Sequence, residues 1–240
     1  VPYLGYQRQH RPGHREPNAA AMHLDQIRTI GRFSQLLCFD VHSEDTLATA
    51  CSSHGWPYDH LYSAQFAVPY ILDHMDVGAI VAPDAGGAKR ASKWQSLLRK
   101  QGKGTRLVTC NKYRNRPNEV DRVDVMGDVE GMNALIVDDM CDTGGTHCAV
   151  AKALKEKGAD RVYLYAAHGL FSGDALSRIA QSELDKVIVT NSICHSLESL
   201  SAAGDTPIVV LDISPLIAAA MRATETSGSI SELFLSGNGR

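Results

Sequence analysis

The strongest constraint on the fold is a repeated alternation in the apolar pattern. Short, almost continuously apolar runs rich in Val, Ile and Leu fall at Gln35–Val41, Ala79–Ala82, Arg106–Cys110, Ala134–Val137, Arg161–Ala167, Lys186–Val189 and Ile208–Leu211. Strands that alternate apolar and polar residues have one wet face; runs of this kind are buried on both faces, as in a parallel sheet. Between them lie longer runs with helical periodicity, at Asn18–Ile30, Ala64–His74, Ala88–Gln101, Thr146–Lys157, Gly173–Ser182 and Pro215–Thr224. In the fourth of these, Cys148, Ala151 and Leu154 share a face and Gly158 is a natural stop. Parallel strands need crossover helices, so the pattern predicts an α/β protein with right-handed strand–helix–strand units. The polar stretch Tyr113–Val129 breaks the pattern and reads as a long mobile loop followed by a short hairpin.

Composition excludes some functions. A net charge of −3 over 240 residues gives no basic excess for a nucleic-acid surface, and no apolar run approaches the roughly 20 residues of a membrane helix. Six scattered cysteines without a Cys-x-x-Cys pair argue against a zinc ribbon or a disulfide framework. Reduced thiols in an intracellular, cytoplasmic setting, without a secretory signal peptide, are expected. The chain begins on Val1-Pro2-Tyr3-Leu4, which reads as the end of a strand, so a preceding segment is expected.

Chemistry concentrates where the apolar runs end. In ALIVDDMCDTGGTHCAV, Ala134–Val150, the strand Leu135–Val137 delivers Asp138 and Asp139 to its carboxyl end, the position at which open α/β sheets bind ligands. The turn Thr143-Gly144-Gly145-Thr146 then feeds a helix, whose N-terminal amides favour an anion such as phosphate. The acids suit vicinal sugar hydroxyls, or a magnesium ion reached through water. A plain cap needs one acid, and this loop has three. It is not a Walker A loop, because the Gly-x-x-x-x-Gly-Lys spacing is missing.

VAPDAGGAKR, Val81–Arg90, repeats the design. Asp84 ends a strand, Gly86 and Gly87 expose backbone, and Lys89 and Arg90 occupy the first helical turn, which suits a diphosphate with magnesium on Asp84. In CFDVHS, Asp40 and His42 lie two apart at a strand end, so the strand period puts both on one face, where they could hold a metal; a lone His is more often structural. Lys112-Tyr113-Arg114 supplies two cations to the polar loop, able to close on a transferring phosphoryl group, or to be a solvated basic loop. YQRQHR, Tyr6–Arg11, offers an aromatic ring, an Arg and a Gln to a nucleotide, or is a solvated basic turn.

All five stretches resemble, in the same chain order, those of the ribose-phosphate diphosphokinases, the phosphoribosyl diphosphate (PRPP) synthetases. VDDMCDTGGT resembles that family's ribose 5-phosphate loop, PDAGGAKR its pyrophosphate loop and NKYRNRPNEVDR its flexible catalytic loop. PYLGYQRQ is similar to its ATP-binding stretch and DVH to its magnesium-binding stretch. The likeness runs from Val1 to Phe234.

The resemblance implies two type I phosphoribosyltransferase-like α/β domains with central parallel sheets, the first incomplete: residues 1–62, then 63–225, with a tail over 226–240 packing back on the first. It implies transfer of ATP's diphosphoryl group to the anomeric hydroxyl of ribose 5-phosphate, with Mg2+ as cofactor and ATP as co-substrate. Asp138 and Asp139 would hold the ribose hydroxyls, and Asp142, Thr143, Gly144, Gly145 and Thr146 the 5-phosphate. Asp84, Gly86, Gly87, Lys89 and Arg90 would form the pyrophosphate loop. Arg8 and Gln9 would contact ATP, His42 and Asp84 magnesium, and Lys112 and Arg114 the transition state.

Dimers assembling to a hexamer are implied, with a phosphate or ADP effector; SISELF, Ser229–Phe234, resembles part of that effector site, whereas SEDTLATACSSHGWP after His42 departs from it. Two other functions share much of this pattern. A PRPP-consuming phosphoribosyltransferase would share the DD…TGGT loop but has no use for a second domain with an ATP stretch. A non-catalytic regulatory partner subunit would be expected to lose catalytic-loop cations or loop acids, and Lys112, Arg114, Asp138 and Asp139 are all present.

Overall fold

The computed structural model describes residues 1–8, 18–52, 55–113 and 122–235. The chain divides into two compact units, Val1–Ser63 with Ser214–Arg240, and Ala64–Ile213. The expected second domain, 63–225, and the second unit differ by the helix that opens at Ser214.

The first unit holds α1 (Ala19–Gly31), β1 (Leu36–Phe39), α2 (Glu44–Ser52) and β2 (Tyr58–Leu61). Asn18 caps α1 by accepting from the amide of Ala21 at 3.0 Å, and Arg32 ends it in a left-handed conformation. β1 and β2 pair in parallel from Leu36↔Tyr58 to Phe39↔Leu61, with α2 as the crossover. Leu4, Leu24, Leu36, Cys38, Leu47, Cys51 and Trp56 form its core. Neither α2 nor β2 was expected. β2 reads Tyr-Asp-His-Leu and buries fully only Leu61, so it carries no apolar run. α2 carries Glu44 and Asp45 in its first turn, where the helix dipole favours them.

The second unit begins within α3 (Ser63–His74) and continues through β3 (Ala79–Ala82), a 3-10 turn at Ala85–Gly87, α4 (Ala88–Lys100), β4 (Arg106–Tyr113) and β5 (Arg122–Met126). Then follow β6 (Asn133–Cys141), α5 (Gly145–Glu156), β7 (Arg161–Gly169), α6 (Ala175–Ala180), β8 (Lys186–Thr190), α7 (Leu197–Leu200) and β9 (Ile208–Leu211). The first unit resumes with α8 (Ser214–Glu225) and α9 (Glu232–Leu235). The seven strands are ordered β5-β4-β3-β6-β7-β8-β9, all neighbours parallel except β4 and β5. The α/β class with parallel sheets is therefore as expected.

Four strands run past the ends of their apolar runs: β7 by two residues to Gly169, β8 by one to Thr190, and β4 and β6 by more. β4 continues past Cys110 to Tyr113 and pairs with β5, Lys112 opposite Val123, so the hairpin uses β4 itself instead of lying wholly within the polar stretch. β6 continues past Val137 to Cys141 and pairs Asp138 with Ala166 and Cys141 with Gly169. Apolar periodicity reports burial, and backbone pairing outlasts it at both places.

Both faces of the sheet are covered. Val150, Ala151 and Leu154 of α5 and Ile179 of α6 join Val81, Ile136 and Leu164 in one cluster. From α4, Trp94 is 1% exposed and packs on Tyr165, ring centroids 4.6 Å apart, one residue from Leu164 and hence on the opposite face. Replacing Trp94 by Ala leaves a ring-sized void that a packed sheet cannot close. Urea unfolding of Trp94→Ala is expected to lose about 3–5 kcal/mol, and a loss below about 1 kcal/mol would show that α4 is not seated as described.

Candidate functional site

Strand order locates the site. From β3 the chain goes to β4 on one side, and β6 then returns to the other side of β3. Helices leaving β3 and β6 diverge, and a crevice opens beyond the carboxyl ends of these two strands. Both glycine-bearing acidic loops emerge there.

At the end of β3, Asp84 takes an extended conformation and caps the 3-10 turn, its Oδ1 accepting from the amide of Gly87 at 3.0 Å. Its other oxygen, Oδ2, accepts from Lys112 Nζ at 2.6 Å. The extension of β4 brings Lys112 there, since Ala82 pairs with Thr109, Asp84 lies two residues beyond Ala82 and Lys112 lies three beyond Thr109. Burial works against ionised Asp84, but Lys112 and the amides of Gly87 and Gly86 hold its carboxyl below the usual range. Gly86 and Gly87 are tight: a Cβ would lie 3.2 Å from Asp84 Oδ1 and 3.2 Å from Pro83 Cδ respectively. Lys89 is exposed.

Arg90 already rests on carboxylates. Its Nη1 lies 3.3 Å from Asp138 Oδ1 and 3.3 Å from Asp139 Oδ1, joining the β3 loop to the acids of β6. Asp139 is 2% exposed, its amide donating to Asp138 Oδ1 at 3.0 Å. Asp138 Oδ2 is 2.9 Å from His147 Nε2. Burial opposes the charge on Asp138, but His147, then Asp139 and Arg90, hold its carboxyl below the usual range. Burial opposes the charged His147 ring as well, yet Cys141 and the hydrogen-bonded Asp138 push its pKa up to about 10.

Beyond Cys141 the chain turns through Asp142, half-buried, whose carbonyl accepts from Ser172 at 3.0 Å, and Thr143, exposed. Gly144 has φ +73°, a left-handed backbone that a Cβ would strain, and it opens α5 without a side-chain cap. The first-turn amides of Gly145, Thr146 and His147 lack intrahelical acceptors by geometry, which makes the end of α5 a place for an anion. Arg178 of α6 donates to the carbonyl of Thr143 and so braces the turn.

In the first unit, Asp40 and His42 do not share a face. β1 ends at Phe39, Asp40 has φ +43° and is buried, accepting from Ser63, while His42 is exposed. The strand period stops where the strand does. Gln7 is buried and its Oε1 accepts from the amide of His42 at 2.5 Å, tying the Tyr6 stretch to the His42 stretch. Arg8 lies exposed in a turn. Gln9 and Arg114 lie outside the described residues.

His147 and Arg178 were missed by the sequence reading. His147 is the residue after the TGGT turn, in the first helical turn, where a cation is unfavourable without an acid nearby; that misfit was a usable signal. Arg178, far along the chain, carried none.

Residues 100–235 match the family described as the phosphoribosyl synthetase-associated domain. The chain is 37% identical to a ribose-phosphate pyrophosphokinase of Vibrio parahaemolyticus, covering 98% of this chain and 72% of that protein. The figures are the same, 37%, 98% and 72%, for the ribose-phosphate pyrophosphokinase of Brucella melitensis. Among solved structures, phosphoribosylpyrophosphate synthetase from Mycobacterium smegmatis matches with a TM-score of 0.80 and 30% identity, covering 95% of this chain and 70% of that one.

The Asp138–His147 pair predicts a pH signature. His147 has a folded pKa raised to about 10, above an unfolded value of about 6.5, so its contribution to stability is complete below about pH 6.5 and is lost as pH rises toward 10. Asp138, with a depressed pKa, acts in the opposite sense: its contribution is present above about pH 4 and is lost as pH falls. The difference in unfolding free energy between the wild type and His147→Leu should therefore shrink from pH 6.5 to 10. A difference that stays level across that range would mean that the ring is neutral.

Proposed function

The chain belongs to the ribose-phosphate pyrophosphokinase family, and from that membership we propose that it transfers the β,γ-diphosphoryl group of ATP to the anomeric hydroxyl of ribose 5-phosphate, releasing PRPP and AMP. The observation that carries the reading is the convergence of both acidic glycine loops and Lys112 on the crevice beyond β3 and β6. Asp138 and Asp139 accept hydrogen bonds from the ribose hydroxyls. Asp142, Thr143, Gly144, Gly145 and Thr146 cradle the 5-phosphate at the start of α5, where the uncapped amides support the assignment. Gly86, Gly87, Lys89 and Arg90 face the diphosphate, and Arg8 and Gln9 contact ATP.

The attack is an in-line displacement at the β-phosphorus, and the protein's part is to position the reactants and offset charge. Lys112 leaves Asp84 and, with Arg114, meets the charge that spreads over the transferring group. Asp84 then becomes free for magnesium. Among the described residues no group of three or more His, Cys, Asp or Glu converges as a metal cage. Asp84, its side chain 41% exposed, is a hard oxygen donor of the kind that would hold magnesium. His42 is the second candidate ligand. Magnesium, when bound, neutralises the diphosphate oxygens.

The domain reading, 1–62 and 63–225 with the tail 226–240 on the first, is supported by the grouping of Ser214–Arg240 with Val1–Ser63, which extends the return to α8. Dimers building a hexamer, a phosphate or ADP effector and a cytoplasmic setting complete the proposal. No helix among the described residues is long and apolar enough to cross a membrane.

ATP, ribose 5-phosphate and magnesium incubated with the chain should give AMP and PRPP in equal amounts by chromatography; no PRPP would overturn the assignment. Lys112→Ala should lower kcat at least about 100-fold and leave ribose 5-phosphate affinity within about twofold. Equal loss of both would remove Lys112 from the transition state. Asp138→Asn with Asp139→Asn should weaken ribose 5-phosphate binding about tenfold or more by calorimetry, and unchanged affinity would assign the loop to another ligand.

A further inference from the structure

His147 is costly to keep. It is 5% exposed, it carries a polar ring into the base of the crevice, and its Nδ1 is buried without a hydrogen-bond partner. A leucine would fill similar volume at the start of α5 without an unsatisfied nitrogen, so packing alone does not explain a histidine here. The ring's contact with a carboxylate runs from Nε2 to Asp138 Oδ2 at 2.9 Å, and Cys141 also lies against the ring.

That contact completes a pattern around one carboxylate. Oδ1 of Asp138 accepts from the amide of Asp139 at 3.0 Å and lies 3.3 Å from Arg90. The contact on the other oxygen, Oδ2, is with His147 Nε2. The backbone is fixed by the pairing of Asp138 with Ala166, but the terminal torsion of an aspartate is broad and soft. A donor on Oδ2 from a second element sets the carboxylate plane. His147 also spans the loop: Asp138 precedes the turn on β6, and His147 follows it on α5. The hydrogen bond therefore sets the separation between the carboxylate and the α5 amides, which are the two ends that a phosphorylated sugar would bridge.

We propose that His147 is a positioning residue for ribose 5-phosphate, orienting Asp138 and clamping the distance between the sugar end and the phosphate end of the loop. This rests on the assignment of Asp138 to the ribose hydroxyls.

The test measures affinities for ribose 5-phosphate and, separately, for ATP by calorimetry on the 240-residue chain. The proteins are the wild type, His147→Leu, His147→Gln, Asp138→Asn and the His147→Leu/Asp138→Asn double variant, each checked for cooperative thermal unfolding. His147→Leu should weaken ribose 5-phosphate about tenfold, the scale of one hydrogen bond to a charged group, and leave ATP within about twofold. His147→Gln, whose carboxamide N–H can stand where Nε2 stands, should recover most of the loss. The double variant should bind no more weakly than Asp138→Asn alone, because His147 acts through Asp138.

Ribose 5-phosphate affinity unchanged in His147→Leu but lost in Asp138→Asn would overturn the positioning role and leave the functional reading standing. Additive losses in the double variant, or equal loss of both ligands in His147→Leu, would overturn it too. Unchanged affinity in Asp138→Asn would instead remove the sugar assignment, and the positioning role with it.

Discussion

The guanidinium of Arg90 between Asp138 and Asp139 is the interaction on which the crevice depends. Two neighbouring carboxylates, one of them almost fully buried, repel each other, and burial alone would drive at least one to take up a proton. Arg90 from one side and His147 from the other supply matching positive charge, which favours the ionised carboxylate of Asp138. The same guanidinium joins the loop after β3 to the strand β6, so the two loops cannot drift apart independently. Burying such a set is expensive, and apolar replacements would often be no less stable; removing one member leaves an unpaired buried charge. Its retention is more readily explained by ligand binding than by stability.

Around that cluster the fold supplies positions that local sequence cannot. The reversal of strand order at β3 opens the crevice, and the sheet then delivers three strand ends to it: Asp84 from β3, the paired acids from β6 and Lys112 from β4. Gly144 gives the left-handed turn that lets α5 start with its amides directed at the crevice, and Arg178 braces the same turn from α6. Three cations of the site rest on carboxylates: Lys112 on Asp84, Arg90 and His147 on the β6 acids. In the proposed reaction the substrates' phosphates and hydroxyls take over some of those contacts, so binding exchanges one set of charge pairs for another without exposing a bare charge.

The first unit shows where the strand period stops being informative. Asp40 and His42 are two apart after an apolar run, and on a continuing strand they would face one way. The chain instead leaves the strand at Phe39 and turns through a left-handed Asp40, whose side chain is drawn inward to Ser63. The amide of His42 is held by the buried Gln7, a link between two stretches that had looked independent in the sequence. β2, which pairs with β1, was invisible because its residues are mostly polar and only Leu61 is fully buried.

By itself the sequence determined the class of fold and the addresses of both acidic loops. Doubly buried strands must be apolar along their length, and a glycine-bearing turn between such a strand and an amphipathic run has few other uses. β3 and β9 lie at the residues their apolar runs marked, and Gly158 follows α5 as its stop. The tertiary structure decided what each charge faces. That Arg90 pairs with acids 48 and 49 residues away (138 − 90 and 139 − 90), that Lys112 rests on Asp84, and that His147 reaches back to Asp138 all depend on strand order, on register and on β4 and β6 outrunning their apolar segments. Hydrophobic pattern encodes which face is buried. Partners of polar groups are chosen by distance, and distance exists only once the sheet is assembled.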